Sequence, residues 1–192
     1  DGELVSGVRP SAAIVFQNYS LLPWFSALEN VRLAVGAAFP DWPREKQREL
    51  NLSELDLGDL LNEAVATIRS SHHLDDSAIR FPEPPDGVKI VGDRAELSTV
   101  FTNLLENAIK YSTEEPKISI RLKNSSQTKA EVFIKDNGIG ILPGDLKRVF
   151  KRFYRVPNAS TKEKKGTGLG LAIVKAIVEK HGGRVRAESK GL

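Results

Sequence analysis

The spacing of hydrophobic residues predicts three helices after residue 50. The segment DLGDLLNEAVATIRS repeats apolar residues at helical spacing, and Asp56 can cap the resulting amphipathic helix. The segment DRAELSTVFTNLLENAIKYS has the same period and predicts a longer helix that is capped near Asp93. The segment GTGLGLAIVKAIVEKHGG, at residues 166–183, predicts a third helix that begins after alternate glycines.

Alternation of apolar and polar residues predicts strands between these helices. AIRF and VKIVG are short strand candidates around the Pro-rich turn PEPPDG. KISIRLKN alternates Ile118 with Ile120, and KAEVFIKDN alternates Val132 with Ile134, so the two segments should pair antiparallel. A glycine turn and a short helix should lead to FKRFYR, and GGRVRAESKGL should begin another strand.

The first fifty residues have a different pattern. SAAIVF is a short strand candidate, and ALENVRLAV predicts a short helix that Ser26 can cap. GAAFPDWPREKQREL combines two prolines with charged residues, which is typical of a linker. We therefore divide the chain into residues 1–47, a strand–helix appendage, and a main domain at 48–192.

Composition narrows the possible classes of function. The 192 residues are 40% hydrophobic, which suffices for one ordinary domain and a smaller part. The net charge of +3 is small and its charges are interspersed, so no nucleic-acid partner is expected. The absence of cysteine excludes disulfides and thiolate chemistry, and no apolar run approaches the ~20 residues that span a bilayer. Because the chain opens at Asp1 and lacks methionine, we interpret it as an excised, processed or engineered piece.

Polar residues on the second predicted helix form the first candidate site. Asn103, Asn107 and Lys110 are four and three residues apart and share one face, with Tyr111 at its edge. Amide oxygens can complete a Mg²⁺ shell, a lysine can meet phosphate, and an aromatic ring can flank a base. The alternative is a solvated helix face, although asparagine is a poor residue for the middle of a helix.

The segment DNGIGI is the second candidate. The Asp136 carboxylate follows a strand and could accept a hydrogen bond from an exocyclic amino group, such as that of adenine. Gly138 and Gly140 would let the backbone approach a flat ligand. The same residues would also make an ordinary tight turn, which is the alternative interpretation.

Three glycines before the third helix form the last candidate. The helix that follows Gly166, Gly168 and Gly170 has unpaired first amides, which could face a phosphate or simply follow a bend. Their spacing matches neither a Rossmann fingerprint nor a P-loop. The segment VFKRFYR precedes them, and its Phe150 and Phe153 could hinge a lid.

In this order, the segments resemble the four boxes of the ATP-binding domain of bacterial two-component sensor histidine kinases. Residues 103–111 resemble the N box, 136–140 the G1 box, 150–154 the F box and 166–171 the G2 box. The resemblance covers about residues 50–192. It implies an α+β Bergerat fold, a two-layer α/β sandwich with three main helices on one face of a mixed sheet, and a lid that closes over ATP.

The resemblance also implies a role for each matching residue. Asn107 would ligate Mg²⁺ with Asn103 assisting, and Lys110 would meet phosphate. Tyr111 would flank the adenine, whose amino group would donate to Asp136. The residues expected to bind nucleotide are Asn103, Asn107, Lys110, Tyr111, Asp136, Gly138, Gly140, Gly166, Thr167, Gly168, Leu169 and Gly170; those expected in the F box and lid are Phe150, Phe153, Tyr154 and Arg155.

The implied function is Mg–ATP binding and supply of the γ-phosphate to a histidine on a separate acceptor domain. The implied partners are that histidine-bearing dimerisation domain and a response regulator, in the cytoplasm, with the parent kinase anchored in a membrane. In gyrase-type hydrolases of the wider superfamily a glutamate activates water at the position of Asn103, which cannot act as a general base. That hydrolase is one alternative, and a chimeric or truncated scaffold without ATP turnover is another.

The chain departs from this pattern at three places. The acceptor hairpin is absent, and we interpret His72, His73 and His181 as ordinary surface residues. The sequence ends where the family adds a final strand. At the front, AIVFQNYSLLPWFSALENVRLAV resembles the Q-loop region of nitrate-, sulfonate- and taurine-type ABC-transporter ATPases, with Gln17 as the Q-loop glutamine. We interpret the chain as a fusion of two ATPase fragments joined near residues 44–51.

Overall fold

The computed structural model describes residues 50–85, 87–126, 129–157 and 166–191, which all belong to one unit, Glu49–Leu192. The strand and helix predicted before residue 48 lie outside this described part, as does most of the predicted lid. In chain order the elements are β1 (Leu52–Asp56), α1 (Leu57–His72), β2 (Ile79–Arg80), β3 (Lys89–Asp93), α2 (Arg94–Tyr111), β4 (Ile118–Ser126), β5 (Lys129–Lys135) and α3 (Gly170–Lys180).

The described strands form two sheets. In one sheet β1 pairs antiparallel with β3, and Leu52 lies opposite Asp93. In the other sheet β4 lies between β2, to which it is parallel, and β5, to which it is antiparallel. The three helices and the mixed sheet confirm the predicted α+β class, and the β4–β5 pair is confirmed as well. Strand β1 was not predicted.

The core lies between the helices and the mixed sheet. All apolar residues predicted on the inner face of α1 are buried, because the 3.6-residue period places them on one side of the helix. Strand β4 contributes alternate side chains to the same core, as its period of two requires. The largest side chains that are less than 2% exposed are Leu60, Leu61, Ile68, Ile79, Leu105, Ile118, Ile120 and Val174.

Helix starts differ in a way that matters for the site. Asp56 and Asp93 each accept hydrogen bonds from two amides of the helix that follows, so both predicted caps are confirmed. Asp93 is 7% exposed, and its second carboxylate oxygen accepts the Asn51 amide at 3.0 Å. Helix α3 begins after Leu169, which provides no side-chain cap. The amides of its first turn are therefore available to an external acceptor.

Two predicted elements are not formed. The predicted short helix before the F box is a series of turns, in which the Asp145 amide donates to the Leu142 carbonyl and the Arg148 amide to the Asp145 carbonyl. These bonds span three residues, and Gly144 disfavours a continuous helix there. Residues 183–191 form no strand, although Val185 packs on the core.

Candidate functional site

The first turn of α3 lies against the middle of α2. A methyl group at Gly170 would lie 2.9 Å from Asn103 Oδ1 and 3.5 Å from Asn107 Nδ2. Asn103 is only 6% exposed, and its Nδ2 donates to the Thr99 carbonyl at 2.9 Å. That bond orients the amide, so that Oδ1 faces α3. The structure thus brings the two predicted asparagines together with the last glycine of the G2 box.

Lys110 and Tyr111 continue this face toward the C-terminal end of α2. A methyl group at Gly166 would overlap Lys110 Nζ, so the amine contacts the start of the glycine segment. The same nitrogen lies 5.3 Å from the centroid of the Tyr111 ring. A positive charge therefore lies beside both the predicted phosphate-binding segment and the predicted adenine-flanking ring.

The turn that carries Asp136 is joined to the end of α2. Asp136 Oδ1 accepts the Gly138 amide at 2.8 Å, and the Ile139 amide donates to the Tyr111 carbonyl at 3.1 Å. A side chain at Gly138 would lie 2.9 Å from that carbonyl, so glycine permits the close approach. Asp136 itself is exposed. The tight-turn interpretation of DNGIGI is confirmed, and acceptance of an adenine amino group by the exposed Asp136 carboxylate stays a prediction.

Asn137 is a residue that the sequence reasoning missed. Its Oδ1 accepts the Lys117 amide at 2.9 Å and the Ser112 hydroxyl at 3.2 Å, while its Nδ2 donates to the Glu115 carbonyl at 3.0 Å. These bonds attach the loop after α2 to the Asp136 turn. The only signal in the sequence was the Asx-Asx-Gly pattern, in which either Asx residue can organise a turn.

Gly140 has a different environment from the other predicted glycines. Its φ is +75°, and a methyl group there would overlap the Gly191 carbonyl oxygen and lie 3.1 Å from Ser189 Oγ. Ser189 Oγ also accepts the Ile141 amide at 3.0 Å. Packing against the C-terminal segment explains the glycine here, and its approach to a flat ligand stays a prediction.

The F box is joined to the G2 glycines through the backbone. The Phe153 amide donates to the Gly168 carbonyl at 3.0 Å. Gly168 has a φ of +72°, and a methyl group there would lie 2.8 Å from the Phe153 carbonyl carbon. Phe153 has a φ of +61° and is 64% exposed, whereas Phe150 and Arg155 are partly buried. The two boxes therefore form one backbone unit.

The remaining G2 residues act through the backbone or locally. The Leu169 side chain is buried, so its backbone is the part that can reach a ligand. Thr167 is exposed, and its Oγ1 accepts the Leu169 amide at 3.4 Å. This weak bond holds the turn that precedes α3.

Tyr154 of the F box is held by a polar cluster. Its hydroxyl donates to the carboxylate of buried Asp145, and the Arg148 guanidinium lies 4.4 Å from its ring centroid. The hydrogen bond to Asp145, followed by desolvation, raises the pKa of Tyr154 above its ordinary value. Asp145 was not singled out from the sequence, where it is one of many acidic residues beside a turn.

The interpretation of His181 as an ordinary surface residue was wrong. Its Nε2 accepts the Asp93 amide at 3.0 Å, and its Nδ1 lies 2.8 Å from the Ile177 carbonyl oxygen. Because a backbone amide can only donate, these partners require the neutral imidazole with the proton on Nδ1. A contact between residues so distant in sequence leaves no periodic signal. His72 and His73 are exposed, as predicted.

Side chains that could hold a metal ion are few in the described ranges. These ranges contain no group of three or more His, Asp or Glu residues positioned around a metal. Asn103 Oδ1 faces Gly170, with the Asn107 side-chain amide beside it, and amide oxygens suit a hard cation that takes its other ligands from water and phosphate. None of the helices described here is long and apolar enough to cross a membrane.

Comparisons with known proteins define the class of this domain. Residues 92–191 match the family described as "Histidine kinase-, DNA gyrase B-, and HSP90-like ATPase", and the chain belongs to that family. Within it, the chain is an ATP-binding catalytic domain of the sensor histidine kinase type, homologous to the corresponding domains of SenX3, MprB and PrrB.

The relatives and solved structures agree on this assignment. Sensor-like histidine kinase SenX3 of Mycobacterium tuberculosis (strain ATCC 25618 / H37Rv) is 35% identical over 144 residues, which are 75% of this chain and 35% of SenX3. This chain thus spans about a third of that relative's length. The mycobacterial sensor histidine kinase MprB structure has a TM-score of 0.58 at 33% identity, covering 70% of this chain and 83% of that chain.

Two further structures extend the comparison. The ATP-binding domain of PrrB from Mycobacterium tuberculosis has a TM-score of 0.56 at 28% identity, covering 72% of this chain and 87% of that chain. Histidine kinase ThkA, solved in complex with the response regulator protein TrrA, shares the fold with a TM-score of 0.57 at 22% identity, covering 84% of this chain and 45% of that chain.

Substitution of Gly168 tests the backbone unit of the F and G2 boxes. We expect Gly168→Ala to lower the free energy of unfolding by about 1–3 kcal/mol, because alanine is strained at a φ of +72° and would contact the Phe153 backbone. Gly144→Ala is the control, since nothing lies within 4 Å of a methyl group there, and it should change stability by less than about 0.5 kcal/mol. Equal effects in urea denaturation would contradict the expectation.

The hydrogen bond between Tyr154 and Asp145 should produce a pH-dependent stability. A phenol whose pKa is raised by folding stabilises the fold while protonated, and this contribution is lost as pH rises through the raised pKa. The difference in unfolding free energy between the unsubstituted chain and Tyr154→Phe should therefore be constant from pH 7 to about 9 and shrink above about pH 10. Urea denaturation at each pH measures it, and a difference that stays constant to pH 11 would refute this role.

Proposed function

We propose that this chain binds Mg–ATP between α2 and α3 and supplies the γ-phosphate to a histidine on an acceptor domain. The observation that carries the proposal is the contact of Gly170 with the side-chain amides of Asn103 and Asn107. It joins neutral oxygen ligands on one helix to the uncapped first turn of another. A helix start of this kind favours anions, and amide oxygens favour a hard cation.

The phosphate end of the site would be formed by α2 and the glycine segment. Asn107 would be a Mg²⁺ ligand, and Asn103 would assist through Oδ1. Because Asn103 Nδ2 donates to the Thr99 carbonyl, Oδ1 is the amide atom that faces α3. When bound, Mg²⁺ would neutralise part of the phosphate charge. Lys110, in contact with Gly166, would add a second positive charge, while backbone amides of Gly168 and Gly170 would donate to phosphate oxygens.

The adenine end would be formed by the turn at the end of α2. The exposed Asp136 carboxylate would accept the adenine amino group, and the Tyr111 ring would flank the base. The bond between Ile139 and the Tyr111 carbonyl supports this pairing, because it keeps the turn and the ring in one place. Gly138 lies in the same turn and would let the base approach the backbone.

The side chains of this face favour phosphoryl transfer over hydrolysis. Asn103 cannot take a proton from water, so it cannot replace a general base. The nearest acidic neighbour in sequence is Glu106, but its Oε1 lies 3.1 Å from His72 Nε2 at the end of α1. That pairing engages the carboxylate with the end of α1. A gyrase-type hydrolase is therefore the weaker candidate.

The whole kinase would provide what this domain needs. A histidine-bearing dimerisation domain would present the acceptor, and a response regulator would receive the phosphoryl group, as the pairing of ThkA with TrrA suggests for a protein of the same fold. We propose a cytoplasmic site of action, next to a parent kinase that is anchored in a membrane.

We also propose that residues 1–47 are a fragment of ABC-transporter ATPase origin with no part in this site. The proposal is supported by the stretch AIVFQNYSLLPWFSALENVRLAV and by a family match that begins at residue 92. Deletion of residues 1–47 should leave the affinity for an ATP analogue within about twofold of the full chain, measured by calorimetry. A larger loss would show that the segment contributes to the nucleotide site.

A calorimetric titration with a non-hydrolysable ATP analogue tests the proposed function. We expect magnesium-dependent binding, which Asn107→Ala weakens by about tenfold or more because a charge-assisted contact is lost. Asn124→Ala is the matched control, since Asn124 is an exposed asparagine on β4, and it should bind like the unsubstituted chain.

Two other results would identify the alternatives, the first from this titration and the second from a separate assay with hydrolysable ATP. A folded chain that binds no nucleotide, with or without Mg²⁺, would favour the scaffold that folds without turnover. Release of phosphate from ATP in the absence of any acceptor, at a rate that Asn107→Ala abolishes, would favour the hydrolase.

A further inference from the structure

The C-terminal end of α3 is attached to the corner between β3 and α2. His181 Nε2 accepts the Asp93 amide at 3.0 Å, and Lys180 Nζ lies 2.8 Å from Glu96 Oε1. A methyl group at Gly92 would lie 2.6 Å from Leu97 Cδ1 and 3.3 Å from His181 Cδ2, so the glycine leaves room for both side chains. This corner is therefore shaped to receive the end of α3.

The stretch of α3 between its two end contacts is about as long as the stretch of α2 that lies beside it. The helices run antiparallel, with Gly170 beside Asn103 and His181 beside Asp93. Gly170 and His181 are eleven positions apart and Asn103 and Asp93 are ten, so at 1.5 Å per residue these stretches span about 16 and 15 Å. Fixing the His181 end consequently sets how far along α2 the first turn of α3 lies.

The bond from His181 is the more buried of the two attachments at this corner. The Asp93 amide belongs to a residue that is 7% exposed, and a buried amide that loses its acceptor retains the full cost of its desolvation. Lys180 and Glu96 form an ion pair whose side chains are 30% and 20% exposed, so solvent partly screens it. Displacement of His181 should therefore release the end of α3 even if the ion pair persists.

We propose that His181 is a positioning residue for the nucleotide site, holding Gly170 against Asn103 and Asn107 by accepting the Asp93 amide at the opposite end of α3. The expected effect of His181 on ATP binding rests on the proposed function, whereas its expected effect on the contact between α3 and α2 does not. His181 touches no ligand in this account. It acts through the length of α3, and any side chain that accepts the same amide should replace it.

Three variants separate this role from general stability. In His181→Gln the Oε1 atom can accept the Asp93 amide, whereas His181→Leu keeps the bulk without an acceptor. His181→Asn has an acceptor that is too short to reach, and it suits a helix end, so it provides the comparison if the leucine variant does not fold. Val65→Ala, which removes buried volume from α1, is the control for lost stability alone.

Two measurements are made on each folded variant. The first is the nuclear Overhauser contact between the Gly170 α-protons and the side-chain amide protons of Asn107 in the nucleotide-free chain. The second is the affinity for Mg²⁺ and a non-hydrolysable ATP analogue. We expect His181→Leu and His181→Asn to lose the contact and bind about fivefold more weakly, as for one misplaced hydrogen bond. His181→Gln and Val65→Ala should keep the contact and bind within about twofold of the unsubstituted chain.

The proposal is overturned if a folded His181→Leu or His181→Asn chain keeps the contact, or if the glutamine variant behaves like them. If the unsubstituted chain binds no nucleotide, the proposed function fails, yet the contact in the nucleotide-free chain still decides whether His181 positions α3.

Discussion

The close approach of α3 to α2 is the constraint on which the nucleotide site depends. Gly170 has no side chain, and even a methyl group would lie 2.9 Å from Asn103 Oδ1. The side-chain amide of Asn103 donates to the Thr99 carbonyl. If this side chain moved away from Gly170, it would break that hydrogen bond, and Asn103 is only 6% exposed. This contact places neutral oxygen ligands and an uncapped helix start in one location, and the chemistry of a metal–phosphate pair requires both.

The Asp136 turn and the F box are joined to this location through main-chain bonds. The Asp136 turn is joined to the end of α2 by the bond from Ile139 to the Tyr111 carbonyl, and the F box is joined to the G2 glycines by the bond from Phe153 to Gly168. These backbone bonds set where the candidate ligand residues lie, and the Asp136 side chain also holds its own turn by accepting the Gly138 amide. Gly138 and Gly168 lie where a side chain would push the joined backbone segments apart.

Local patterns predicted much of the fold and the candidate residues, because periodicity reports directly on burial and spacing. The apolar period identified the three helices that the structure describes, and the spacing of Asn103 and Asn107 placed these two residues on one face. Strand β1 was missed because only Leu55 of its five residues is buried, so its alternation is weak. The predicted C-terminal strand lacks a ladder, and the bond of His181 to Asp93 depends on tertiary placement that no local pattern encodes.

The most direct test of the account replaces Mg²⁺ with paramagnetic Mn²⁺ in the presence of an ATP analogue. Nuclear magnetic resonance would then report which protons lie near the bound metal. We predict the strongest broadening at the side-chain amides of Asn103 and Asn107 and at the backbone amides of residues 166–170, with little at the C-terminal end of α1. Broadening centred elsewhere, or spread evenly over acidic surface residues, would contradict a metal–phosphate site between α2 and α3.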